Sequence, residues 1–161
     1  MRVIHYPLSG IKVNTLLNEI YLKKEGKAME KDIALNLLET YIAGWKQNDI
    51  NAIIEPLHNE VIVIESHGPK YIGVSSVELW FYMWKKADSY IKKWDILSSN
   101  YCQDSQTLFC EWDFECMSLN KVYAFLGISV VQFKERKISS LHEYKMSKAP
   151  YLWDGLHLNS D

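Results

Sequence analysis

Among the side chains able to move protons, Glu65 and His67 stand two apart, just after the β-branched run Val61-Ile62-Val63-Ile64. Residues two apart on a strand share a face, so a carboxylate and an imidazole at this spacing could serve as base and acid partner. Gly68-Pro69 follows at once, which favours reading His67 as a loop histidine at the mouth of a pocket. The three cysteines, Cys102, Cys110 and Cys116, are odd in number and lack C-x-x-C spacing, so neither a zinc site nor a disulfide framework is signalled. Along one strand, Cys110 and Cys116 would be about 20 Å apart, beyond disulfide reach. His5, His58 and His157 share no ligand spacing with any cysteine or carboxylate, so no metal is expected. The chain has no G-x-G-x-x-G, P-loop or nucleophile elbow, so no nucleotide cofactor, indeed no cofactor at all, and no covalent mechanism are expected.

The bulk properties narrow the classes further. With 161 residues the chain is one domain, and 18 basic against 20 acidic side chains give a net charge of -2. That balance offers no basic excess for nucleic acid. No apolar run approaches a membrane span, and Val3 to Val13 holds no continuous apolar core of a signal peptide. The cysteine usage fits a reducing compartment, so a cytoplasmic location is expected. Six Trp and ten Tyr raise the aromatic share to 13%, which demands either an aromatic core or an aromatic pocket.

The elements that would position these groups can be read from periodicity. Residues 1–28 stand apart as an N-terminal extension. Val13, Leu16, Leu17 and Ile20 form a weak helical stripe that Lys23 to Lys27 breaks. Alternatively Met29 is the start, because Lys24-Glu25-Gly26 can be encoded by the ribosome-binding tract AAGGAGG. Residues 29–148 form the body and 149–161 a C-terminal tail. Ala34, Leu37, Leu38, Tyr41, Ile42 and Trp45 make a full helical stripe. Asn48-Asp49 ends that helix and caps a short one, Ile50 to Glu55. Val61 to Glu65 reads as a strand. Ser75-x-x-Glu78 reads as a capping box that opens a helix with Val77, Trp80, Phe81 and Trp84 on its apolar side.

The remainder is strand after strand. Trp94 to Ser98 is one. Leu108 to Met117 alternates, with Cys110, Trp112, Phe114 and Cys116 on one face and Glu111, Asp113 and Glu115 on the other. Ser118-Leu119-Asn120 turns into Val122 to Phe133, where Gly127 suggests a bulge or bend. Lys134 to Lys137 turns into Ile138 to Met146. Lys85-Lys86 and Lys92-Lys93 read as a solvated helix end. The expected class is α+β: a curved antiparallel meander covered by N-terminal helices.

This order resembles the nuclear-transport-factor-2-like superfamily, which includes ketosteroid isomerase and SnoaL-like polyketide cyclases. The matching stretches are Tyr41-Ile-Ala-Gly-Trp-Lys-Gln-Asn-Asp49, Val61-Ile-Val-Ile-Glu65 with Tyr71-Ile-Gly73, and Lys137-Ile-Ser-Ser-Leu-His-Glu-Tyr144. The resemblance implies a cone-shaped, cystatin-like sheet with a deep pocket, and a homodimer through the outer sheet face. It brings Tyr41, Glu65, Trp80, Trp84, Cys110, Trp112, Phe114, Phe125, Ser129, Val131, Leu141 and Glu143 to face that pocket. The alternation argument independently groups Cys110, Trp112 and Phe114.

By the same resemblance Glu65 matches the catalytic base and Tyr41 a hydrogen-bond donor to the developing enolate. Ser129 stands where the isomerase has a protonated Asp, a site that serves as a worked example of a neutral carboxyl. A carboxylate walled by Trp is desolvated and becomes a usable base. Glu65 can equally contact ligand without catalysis or be a structural carboxylate. Tyr41 can be core packing. Glu143 can be tied to a neighbouring strand, or can orient ligand at the pocket floor. Trp80, Trp84 and Trp112 can be core, or, with Phe114 and Phe125, the walls of a site for a flat apolar or cationic ligand. The expected partner is therefore an apolar or aromatic small molecule. The activity, if any, is that of an isomerase, cyclase or dehydratase acting on a carbonyl compound. The alternative is a non-catalytic binding or dimerisation module.

Overall fold

A computed structural model describes residues 29–152. The Val13–Ile20 stripe, the alternative of a start at Met29, His5, His157 and the tail from residue 153 onward concern or adjoin segments outside the described residues. Helix α1, Lys31–Gln47, buries Ala34, Leu38, Tyr41, Ile42 and Trp45 and leaves Lys46 and Gln47 to water. Asn48 ends it in the left-handed region, with φ 55°. The Asp49 carboxylate then accepts the backbone N–H groups of Asn51 at 2.9 Å and Ala52 at 3.3 Å, capping the short helix α2, Ile50–Ile54. The two helices meet closely at Gly44, where a Cβ would lie 2.6 Å from the Ile53 nitrogen.

Strand β1, Leu57–Ile64, begins earlier than the β-branched run alone predicts, and Glu65 follows its last residue instead of belonging to it. The Glu65 N–H donates to Pro69 at 2.9 Å and the Gly68 N–H donates back to Glu65 at 2.9 Å. This turn leads into a three-residue strand β2, Lys70–Ile72, too short to carry a periodic signal. Helix α3, Val74–Lys86, corrects the expected capping box. It starts one residue before Ser75, after Gly73 at φ 76°, with no side-chain cap, and the Ser76 hydroxyl donates to the Ile72 carbonyl at 2.6 Å. Val77 and Phe81 are buried, and Trp80 and Trp84 half-buried, as the apolar side requires.

Four long strands follow: β3 (Tyr90–Cys102), β4 (Thr107–Ser118), β5 (Lys121–Lys134) and β6 (Lys137–Lys145). They form the antiparallel meander, and β1 joins it by pairing in parallel with β6, giving the order β2-β1-β6-β5-β4-β3. The hairpins turn through Leu119 and Asn120, and through Glu135 and Arg136, all at positive φ, which suits the right-handed twist of the strands. Irregularities between Ile91 and Lys93 and between Ile96 and Ser98 add local bends to β3.

Two expectations need correction here. Gly127 marks no bulge, because the β4–β5 register runs unbroken through Trp112 and Gly127. It marks a close approach instead: a Cβ would lie 2.1 Å from Cη2 of Trp112 and 2.3 Å from the Tyr144 carbonyl oxygen. Lys92 and Lys93 belong to β3, not to a helix end, and pair across the sheet with Glu115 (3.0 Å) and Asp113.

The helices cover one sheet face, and the core between them holds Leu38, Tyr41, Trp45, Val63, Leu108, Cys110, Val131 and Leu141. The other face exposes Phe109, Ile128, Tyr144 and Met146. No helix among the described residues is long and apolar enough to cross a membrane.

Candidate functional site

Towards the β4–β5 turn the inner sheet face and the helices separate and leave a cavity of about 390 Å³. Glu65, His67, Trp80, Trp84, Trp112, Phe114, Phe125 and Glu143 all line it, together with Trp45, Trp94, Cys116 and Lys145. Its walls follow from two periodicities. The helical stripes of α1 and α3 deliver Trp45, Trp80 and Trp84, and strand alternation delivers Trp112 and Phe114 from β4 and Phe125 from β5. The rings interlock: Trp45 and Trp80 centroids are 4.3 Å apart, Tyr71 stacks on Trp80 at 4.5 Å, and Phe114 meets Phe125 at 5.2 Å.

Two carboxyl groups share this aromatic space. The Glu65 side chain is 20% exposed. Burial raises its pKa from 4.5 to about 7, against an opposing pull from the Lys145 charge. Glu143, only 5% exposed, is pushed up to about 8 by burial and then by the charge of Glu65. The Trp112 indole N–H donates to Ser129 Oγ at 2.8 Å, and that hydroxyl lies 3.1 and 2.9 Å from the two carboxyl oxygens of Glu143. These hydrogen bonds lower the Glu143 pKa but do not overcome its desolvation.

Tyr41 and Ser129 do not line the cavity. Tyr41 is buried in the core between Trp45 and Trp94, with edge contacts at 6.2 and 6.3 Å. Burial, followed by the Glu65 charge, holds its phenol well above the ordinary value. Ser129 lies behind Glu143 as that residue's partner in the β5–β6 pair. Of the other residues placed at the pocket by resemblance, Cys110, Val131 and Leu141 are fully buried core. His67 sits at the rim, 60% exposed, with Nδ1 3.8 Å from the nearer Glu65 oxygen.

The lining also holds residues that the sequence reading does not place there, among them Trp45, Trp94, Cys116 and Lys145. Trp45 belongs to the α1 stripe and Trp94 opens the strand predicted from it, yet neither was linked to the cavity. Lys145 shares the face of Glu143 by strand parity, so the signal was present. Its Nζ lies 5.1 Å from the centre of the Phe125 ring. The indole N–H groups of Trp45, Trp84 and Trp94 are buried without a hydrogen-bond partner. Cys116 is a thiol pushed up to about 11 by burial, which leaves it no thiolate nucleophile at neutral pH. Among the described residues no group of three His, Cys, Asp or Glu is arranged to hold a metal.

No protein-family model and no curated protein matches the chain. Solved structures do. An epoxide hydrolase of the LEH-like type from M. tuberculosis aligns with a TM-score of 0.62 and 10% identity, over 71% of this chain and 84% of that one. A protein from Catenulispora acidiphila with a ketosteroid-isomerase-like fold, in complex with trimethylamine, aligns at 0.57 and 13%, over 67% and 83%. A protein of unknown function with a cystatin-like fold from Methylobium petroleophilum aligns at 0.60 and 16%, over 81% and 85%. Other matches are described provisionally as polyketide cyclases and an isomerase. At these identities the likeness establishes the ketosteroid-isomerase-like, cystatin-like fold, and the fold alone.

Proposed function

We propose that this chain moves protons on an apolar carbonyl compound held in the aromatic cavity, as an isomerase, cyclase or dehydratase does. The observation that carries this reading is the pair of carboxyl groups in one aromatic-walled cavity, Glu65 at about 7 and Glu143 at about 8. At neutral pH a useful share of Glu65 is carboxylate, able to take a proton from the carbon beside the carbonyl. Most Glu143 keeps its proton and can donate a hydrogen bond to the oxygen on which the negative charge develops. Returning the proton from Glu65 to a different carbon completes an isomerisation. In this scheme Ser129 positions Glu143 instead of touching substrate. Tyr41 acts from behind, its phenol close enough to feel the Glu65 charge.

The cavity volume supports an occupied site over a filled dimerisation core. At about 390 Å³ it is within the range of small-molecule sites, which begins at about 300 Å³. The alternative of binding without turnover shares the same walls, so the test must separate the two. Exchange of the α-protons of 2-tetralone in D2O, followed by NMR, does this. Wild type is expected to accelerate exchange, and Glu65→Gln to lose at least about 100-fold while still binding the ketone. Equal exchange by the two proteins removes Glu65 as base, and binding without exchange in both leaves a ligand-binding protein.

The same reading takes residues 29–148 as the functional domain, in a cytoplasmic setting that suits three free thiols. It takes the outer sheet face, where Phe109, Ile128 and Tyr144 are exposed, as the contact of a homodimer. Sedimentation of wild type against Ile128→Lys checks that contact.

A further inference from the structure

The cavity has one fixed cation. Lys145 is the only Lys or Arg lining it among the described residues. It follows Glu143 by two on the inner face of β6, directly opposite Gly127. The missing Cβ at Gly127 lets the Trp112 ring lie over the backbone there, and Phe125 stands 5.1 Å from the ammonium. The Phe125 ring, itself part of the cavity wall, thus lies beside the ammonium. Among the described residues Lys145 has no carboxylate within ion-pair distance, whereas Lys92, Lys93, Lys134 and Lys137 all do.

The rest of the lining is mostly flat aromatic area, from Trp45, Trp80, Trp84, Trp94, Trp112 and Phe114, and Glu143 offers a donor while it keeps its proton. A planar anion can pair with Lys145 while its rings lie on these walls.

We infer that the natural ligand is a planar apolar carboxylic acid, its carboxylate paired with Lys145 and its ring system against the aromatic walls. This inference rests on the proposed function only for what happens to the ligand afterwards. Ligand binding at Lys145 also has a consequence for the base. The lysine charge is what pulls the Glu65 pKa down, so neutralising it strengthens Glu65 as a base once substrate is in place.

The test compares 1-naphthylacetate with the isosteric 1-naphthylacetamide by calorimetric titration of the full chain. The acid is expected to bind about 10- to 100-fold more tightly than the amide. Lys145→Gln is expected to abolish that preference, so that acid and amide bind with equal affinity, and Lys145→Arg to restore it. Equal wild-type affinity for acid and amide, an acid preference that survives Lys145→Gln, or no acid binding up to about 10 mM each overturns the inference. The 2-tetralone exchange assay is independent of Lys145 pairing, because that ketone carries no carboxylate. Glu65-dependent exchange without acid preference therefore sinks the ligand class alone. Acid preference without exchange sinks the catalytic reading alone.

Discussion

The Ser129 hydroxyl lies 2.9 and 3.1 Å from the two carboxyl oxygens of Glu143 and receives the Trp112 indole N–H at 2.8 Å. Ser129 has one proton to give, so it satisfies one carboxyl oxygen. The isomerase pattern suggested by the sequence put a protonated acid at the Ser129 position. In this chain the buried carboxyl is that of Glu143, on the neighbouring strand and across one pair of the β5–β6 register from Ser129.

A buried acid of this kind has a signature in stability. Both carboxyl groups start from 4.5 in the unfolded chain and rise to about 7 and about 8 in the folded one. Between those values the unfolded state has released protons that the folded state still holds. Stability is therefore fully present below about pH 4.5 and falls as the pH climbs towards 8. The expected loss is on the order of a few kcal/mol. Denaturant titrations from pH 4 to 9 should show it. Glu143→Gln, which carries no charge to desolvate, should flatten the slope and be more stable than wild type at the alkaline end.

Gly127→Ala should be costly for a reason unrelated to backbone freedom. The added Cβ would meet Trp112 at 2.1 Å and the backbone oxygen of Tyr144 at 2.3 Å, and the second cannot swing aside. Overpacking of this sort costs about 1–3 kcal/mol or more. Thermal unfolding should shift down by several degrees, and near-ultraviolet circular dichroism should report a displaced Trp112. An unchanged unfolding midpoint would mean that the strands separate without penalty.

Legibility in the sequence followed the strength of local signals. The α1 stripe, the Asp49 cap and the alternation of Cys110, Trp112, Phe114 and Cys116 are periodic and local, and each emerges in the fold as read. The parallel β1–β6 pair joins residues about 80 positions apart, and nothing in either strand alone specifies that partner. The Ser75/Glu78 pattern failed because Gly73 starts the helix one residue earlier. In the site, Glu65, Glu143, Trp80, Trp84 and Trp112 could be placed by parity and resemblance. The Ser129–Glu143 hydrogen bond could not, since it depends on which strand lies beside which. Gly127 drew attention at the right position, but the close approach of Trp112 there is visible only in three dimensions.

His67 tests whether closeness to Glu65 is function or location. Its ring is 3.8 Å from the carboxylate yet 60% exposed. A general acid or base in the transition state is worth about 10²- to 10⁴-fold, whereas a solvated rim residue contributes far less. His67→Ala is therefore expected to lower 2-tetralone exchange by no more than about threefold. A loss of 100-fold in kcat would promote His67 to a catalytic partner.

The pH dependence of exchange brings both carboxyl groups into one measurement. The base must be ionised, so kcat/KM should rise as Glu65 loses its proton at about 7. The donor must keep its proton, so the rate should fall again as Glu143 ionises at about 8. The two groups interact, since the Glu65 charge is part of what raises Glu143, and the limbs therefore report the pair. The expected profile is a narrow bell between them. Glu143→Gln should erase the alkaline limb, because an amide donor does not ionise, and should leave the acid limb near 7, where Glu143 is already mostly neutral. A bell that survives Glu143→Gln unchanged would assign the alkaline limb elsewhere, with Tyr71 excluded as its source because burial and the Glu65 charge raise its phenol further above 10.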